Sequence, residues 1–109
     1  MIHITATLSF NDVMAISEDL KKMEVGGVSV SKERGRGKTP PPEVHAGKGR
    51  AVFTPQFSQK YILKAIVSEK KEDQIIEIMR KNSRRGKIMV EPIIRAVGIA
   101  TGKEGEKII

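Results

Sequence analysis

Seven consecutive residues, Lys32-Glu33-Arg34-Gly35-Arg36-Gly37-Lys38, concentrate the chain's most pointed chemistry. Cations alternate here with glycines that tolerate positive φ, so backbone N–H groups and positive side chains can converge on one anion. The expected ligand of such a run is a phosphate. An ordinary solvated surface loop has the same composition, and the spacing by itself leaves both readings open.

The charge of the whole chain points to anionic partners. The 109 residues carry 20 Lys+Arg against 13 Asp+Glu, a formal net charge of +7, which fits nucleotide phosphates, nucleic acid or an anionic membrane surface. Between positions 32 and 50 the cations Lys32, Arg34, Arg36, Lys38, Lys48 and Arg50 face only Glu33 and Glu43, so the excess gathers near one segment. Cysteine is absent, which removes disulfides, thiolate metal sites and cysteine nucleophiles. No apolar run approaches the ~20 residues that span a bilayer, and Met1-Ile2-His3-Ile4 lacks the basic head of a secretory signal. A single domain over 1–109, without membrane insertion and resident in the cytoplasm, is expected.

Two strand-and-helix patterns must position these groups. Ile2, Ile4, Ala6 and Leu8 alternate with polar residues as in a half-buried strand. Ser9 then serves as N-cap for a helix whose apolar side is Val13, Ile16, Leu20 and Met23, and Gly26-Gly27 is expected to stop it. Val28-Ser29-Val30-Ser31 reads as a second strand that runs into the basic stretch. From about 36 to 59 there is no sustained period, and Pro40-Pro41-Pro42, Gly47, Gly49 and Pro55 mark a long loop of functional or disordered character. The stretch 60–67 is a strand with apolar residues on both sides, since Ile62 and Ile66 lie opposite Tyr61, Leu63, Ala65 and Val67; partial cover by a neighbouring subunit is the expected reason. Ser68 caps a second helix with Ile75, Ile76 and Met79 inward, and Lys87-Ile88-Met89-Val90 is the last strand, closed by Pro92. Met14, Met23, Met79 and Met89 fall at core-like positions. The resulting order β-α-β-β-α-β is that of an α+β, ferredoxin-like plait with a long loop between strands 2 and 3.

These pieces, in this order, resemble the PII nitrogen-regulatory signalling proteins over nearly the whole chain. The resemblance is carried by Val25-Gly26-Gly27-Val28-Ser29-Val30-Ser31, by Gly35-Arg36-Gly37-Lys38 at the base of what the family calls the T-loop, by 60–67, by Gly86-Lys87-Ile88-Met89-Val90, and by Thr101-Gly102-Lys103-Glu104-Gly105-Glu106. It implies a homotrimer with an adenine nucleotide in each cleft between subunits, and a T-loop (about 36–59) that docks on a target protein. It also implies roles for individual residues. Ser29 matches a nucleobase contact and Ile66 an apolar residue near the base. Gly35, Arg36, Gly37 and Lys38 match the loop base that approaches the ligand, with Lys38 in place of the usual Arg, and Lys60 matches a lysine on the returning limb. Gly86 and Lys87 match the B-loop that holds phosphates.

The departures from the family pattern bear on which ligand is expected. Two arginines that reach the outer phosphates in the family are replaced by Gly98 and Ala100 in the C-terminal segment (about 98–109), and the family's glutamine beside Mg²⁺ and 2-oxoglutarate is replaced by Thr39. A nucleotide effector with fewer phosphates, ADP or AMP, is therefore favoured over Mg-ATP, no cofactor is expected to be tightly bound, and 2-oxoglutarate sensing is put in doubt. In a shortened B-loop Arg84 and Arg85 either substitute as phosphate ligands or are a solvated helix end with favourable dipole charge. The loop has no acceptor for the uridylylation that the resemblance would imply, because the chain's one tyrosine, Tyr61, sits in a strand.

Catalytic and metal sites are not expected: His3 and His45 are isolated and Ser29 has no paired base. Two further functions fit parts of the sequence. A basic ferredoxin-like module can bind single-stranded nucleic acid, but needs stacking platforms on its sheet, and the aromatics are only Phe10, Phe53, Phe57 and Tyr61. A PII-like scaffold that has lost nucleotide binding and acts through its loop alone is the other.

Overall fold

A computed structural model describes residues 1–37 and 57–109, together with the backbone of 44–46 and 51–53. Strand β1 (Ile2–Leu8) leads to helix α1 (Phe10–Lys22) and strand β2 (Val28–Gly35). Two short strands, β3 (Val44–Ala46) and β4 (Ala51–Phe53), pair with each other within the long connection. Strand β5 (Ser58–Val67), helix α2 (Glu72–Asn82) and strand β6 (Ile88–Pro92) complete the plait. The main sheet is antiparallel in the order β2-β5-β1-β6, which is the ferredoxin-like arrangement the sequence predicts.

The period-2 pattern of β1 explains the core. Ile2, Ile4, Ala6 and Leu8 turn to one face and join Leu63, Ala65 and Val67 of β5, and this face is covered by Val13, Ile16 and Leu20 of α1 and Ile75 and Met79 of α2. Among the described residues, no helix covers the opposite face. Its rows follow from the register: Ser31, Ile62 and Thr7 are neighbours across three strands, and Ser29, Lys64, Thr5 and Met89 across four. Ile62 is buried there, while Ile66, opposite His3, is 42% exposed. Met14 and Met89, expected at core-like positions, are exposed; Met14 lies off the buried stripe of α1 and Met89 on the open sheet face. No helix among the described residues is long and apolar enough to cross a membrane.

Local chemistry sets the element ends. The Ser9 hydroxyl accepts from the Asp12 N–H at 3.4 Å, capping α1. At the other end Val25 N–H donates to the Leu20 carbonyl and Glu24 N–H to that of Lys21, each at 3.0–3.1 Å, the paired bonds of a Schellman motif. Its left-handed residue is Glu24 (φ 60°), so Glu24 and not Gly26-Gly27 turns the chain. A left-handed non-glycine costs about 1–2 kcal/mol, against which an added glycine loses about 0.5–1 kcal/mol in the unfolded state. Glu24→Gly should therefore stabilise the fold by roughly 0.5–1 kcal/mol, read as a higher urea midpoint at unchanged slope; a lower midpoint would contradict this account of the turn.

The second helix also starts differently from expectation. Ser68 does act as a cap, accepting from Lys70 N–H at 3.4 Å, but it caps a 3₁₀ turn, Glu69–Lys71, that winds into α2. The two helices are tied at their far ends, where Asn82 Nδ2 donates to Asp19 Oδ2 (3.0 Å) and to the Ile78 carbonyl (2.9 Å).

Candidate functional site

Helix α2 ends at Asn82, and the residues after it wrap a depression of about 330 Å³ at the end of β1. Its floor is Thr7, Leu8, Met79 and Ile88; its rim is Arg80, Ser83, Arg84, Arg85, Gly86 and Lys87. The rim thus brings four cations together, and no carboxylate lines the depression. Burial of Met79 anchors α2 below it, while Arg80, one residue on, stays exposed and projects its charge to the rim.

The backbone of this turn adds donors. The Ser83 hydroxyl donates to the Arg85 carbonyl at 2.9 Å, fixing the bend, and Thr7 N–H donates to the Lys87 carbonyl at 3.1 Å, stitching the turn to β1. Among the described residues no hydrogen bond takes up the N–H groups of Arg84, Arg85 or Gly86. Three successive N–H groups that take part in no hydrogen bond among the described residues thus lie beside several cations, a composition that suits an anion. Gly86 is required by two features at once: its φ is +104°, and a Cβ there would stand 2.0 Å from the Thr7 carbonyl oxygen.

The basic glycine run makes a second group. Lys32, Glu33, Arg34 and Gly35 prolong β2 as strand and are not loop, and they pair with Tyr61, Lys60, Gln59 and Ser58 of β5. A Cβ on Gly35 would lie 3.6 Å from Lys60 Cδ and one on Gly37 would lie 3.5 Å from Lys60 Nζ, so the Lys60 stem crosses both glycines. Arg36 stands with its guanidinium carbon 6.0 Å from the Phe57 ring centroid. Lys38 and Thr39 lie outside the described residues.

Ser29 and Ile66 make a third. Both belong to the open sheet face, Ser29 opposite Lys64 and Ile66 two residues further along β5. Ile66 also lines a smaller hollow of about 190 Å³ with Val25, Gly26, Ser68 and Lys71. Six residues of strand separate Ser29 from Gly35, roughly 20 Å, and three strand spacings of about 4.8 Å set the β2 and β6 edges about 14 Å apart. Among the described residues, the ten sequence-predicted ones that the structure places therefore fall into separate groups within one subunit.

The C-terminal segment folds back on itself. Gly98 N–H donates to the Lys103 carbonyl (2.7 Å), Gly102 N–H to that of Gly98 (2.9 Å) and Gly105 N–H to that of Ala96 (3.1 Å), while Arg95 pairs with Glu104. A Cβ on Gly98 would meet Thr101 Oγ1 at 3.0 Å, so the tight reversal has little room for any side chain at that position.

The family model for nitrogen regulatory protein P-II matches residues 1–103. The chain belongs to the P-II nitrogen regulatory protein family. No curated protein matches it closely. As a P-II protein it is of a regulatory, signalling kind. Sequence reasoning did not include Arg80 and Ser83 in the P-II site. The signal was the uninterrupted polar run from Arg80 to Lys87, which continues past the helix end.

Proposed function

We propose that this P-II protein binds an adenine nucleotide between subunits of a homotrimer and uses the loop at about 36–59 to engage and release a target protein, a transporter or an enzyme of nitrogen metabolism. The supporting observation is the rim of Arg80, Arg84, Arg85 and Lys87 around three unpaired N–H groups, which suits phosphate oxygens by charge and by donor geometry. Arg84 and Arg85 lie beyond the last helical residue and beside the depression, which favours the ligand role over the dipole role.

The separation of the three groups supports a shared site. The phosphate arm lies at the Thr7 end of β1, beside Ile62 of β5, whereas Ile66 lies four residues further along β5, roughly 13 Å away, and in this reading a neighbouring subunit supplies the half that holds the base. In this reading Ile66 and Ser29 hold the base, Gly86 and Lys87 with the arginines hold phosphates, and Gly35, Arg36, Gly37, Lys38 and Lys60 form the hinge whose state the ligand biases. The ligand shifts the loop only by its differential affinity for the two loop states.

Calorimetry of the purified protein with ATP, ADP, AMP, cyclic AMP and 2-oxoglutarate tests this directly. ADP or AMP should bind, Mg-ATP more weakly, and 2-oxoglutarate should give no heat either alone or with nucleotide. Silence with every nucleotide would leave a scaffold that acts through its loop alone. A stable monomer in sedimentation would remove the intersubunit site.

A further inference from the structure

The stem formed by the ends of β2 and β5 carries a second arrangement, which shares Arg36 with the proposed nucleotide site. Lys32 and Arg34 share one side of β2 and lie opposite Tyr61 and Gln59 of β5, and Arg36 and Phe57, the residues just past the paired ends, stand together. Lys32 Nζ stands 5.8 Å from the centroid of Tyr61 and Arg36 stands similarly over Phe57. Phe10, at the start of α1, extends the row: its ring lies 5.5 Å from that of Tyr61, tilted by 55°. Phe10 is 56% and Phe57 51% exposed, and Arg34 and Arg36 are exposed beside them.

We propose that this stem is a binding platform for single-stranded nucleic acid, whose bases stack on the row of Phe10, Tyr61 and Phe57 while Lys32, Arg34 and Arg36 meet its phosphates. Flat rings interleaved with cations are what sequence-tolerant binding of single strands requires, and a guanidinium laid on a ring offers a further stacking plane. An acidic peptide would use the cations but gain little from the exposed rings. A duplex would use them no better, since its bases are already stacked. The net charge of +7 supplies the attraction on which such contacts build. The platform is not the open face of the sheet, where the paired residues His3, Thr5, Ser29, Ile62, Lys64 and Met89 offer no ring for base stacking other than an isolated imidazole. It is the opposite side of the ribbon, beyond the ends of the helices. The proposal does not rest on nucleotide binding.

Fluorescence anisotropy with a labelled oligothymidylate and a duplex of matching length tests it. The single strand should bind in a salt-dependent manner and more tightly than the duplex. Phe57→Ala should weaken single-strand binding by about 5- to 100-fold, with an unchanged melting temperature as the check on folding. Arg34→Ala should weaken it and reduce the log–log salt slope by about 0.7, and Lys70→Ala, a cation remote from the stem, should change neither. Equal affinity for duplex and single strand together with an inert Phe57→Ala would reduce the effect to diffuse charge and overturn the proposal. So would silence with the oligonucleotide alongside binding to a polyglutamate probe, which would mark the stem as a docking surface for acidic protein.

Discussion

Gly86→Ala should be the most damaging conservative substitution in this protein. The φ of +104° at Gly86 is a region L-residues rarely enter, and holding alanine there costs about 1–3 kcal/mol. A separate steric cost follows, because the new methyl group would sit 2.0 Å from the Thr7 carbonyl oxygen, a backbone atom in the middle of the sheet that cannot swing away. Relief requires the turn to lift off β1, which breaks the bond from Thr7 N–H to the Lys87 carbonyl. The combined loss should be about 3 kcal/mol or more, lowering the melting temperature by on the order of 10 °C at fixed protein concentration. Nucleotide affinity should fall with it, because the turn that carries Arg84, Arg85 and Lys87 would be displaced. An alanine variant that melts like the parent and still binds would mean that the turn does not rest on β1 as described.

The parts of the fold that were legible in the sequence are those set by local periodicity. The alternation of Ile2, Ile4, Ala6 and Leu8 and the stripe of Val13, Ile16 and Leu20 each gave a buried face because one element with one apolar side has only one way to shed water. The ends of elements were less legible. Strand pairing, a non-local effect, carries β2 four residues past Ser31 into charged sequence, since Lys32, Glu33, Arg34 and Gly35 find partners on β5. Likewise the end of α1 was read from two glycines, whereas the bonds to the Leu20 and Lys21 carbonyls go with a left-handed Glu24 two residues earlier. The site was legible as residue types but not as an arrangement. Resemblance to the P-II family marked Gly86 and Lys87, yet the place of Arg80 at the rim depends on how α2 packs over Met79, and the crossing of Gly35 and Gly37 by Lys60 depends on strand register. Exposure of Met14 and Met89 has the same origin, for methionine at a plausible helical or strand position does not say which face it takes.

Removing the two arginines of the turn separates binding from folding. Arg84 and Arg85 are exposed, and among the described residues neither takes part in an ion pair, so their replacement by alanine should leave the apo protein within about 0.5 kcal/mol of the parent. Two opposing terms keep that number small. Loss of favourable charge beyond the C-terminus of α2 costs a few tenths of a kcal/mol, while relief of repulsion among Arg80, Arg84, Arg85 and Lys87 returns a similar amount at low salt. The ligand sees no such cancellation. Each charge-assisted hydrogen bond to a phosphate oxygen is worth about 1.5–3 kcal/mol, so a single Arg→Ala change should weaken ADP binding roughly tenfold and the double variant roughly a hundredfold. The loss should be smaller for AMP, which presents one phosphate to the rim, and Lys70→Ala should leave both affinities unchanged. Calorimetry on the four proteins, with melting curves in the absence and presence of ADP, gives the comparison. If the double variant binds ADP as the parent does, the phosphates lie elsewhere, and the loop base at Gly35, Arg36 and Gly37 becomes the remaining described cradle for them. If it loses ADP but keeps its apo stability, the rim beyond α2 is the phosphate site, and it works with Gly98 and Ala100 carrying no charge in the C-terminal segment.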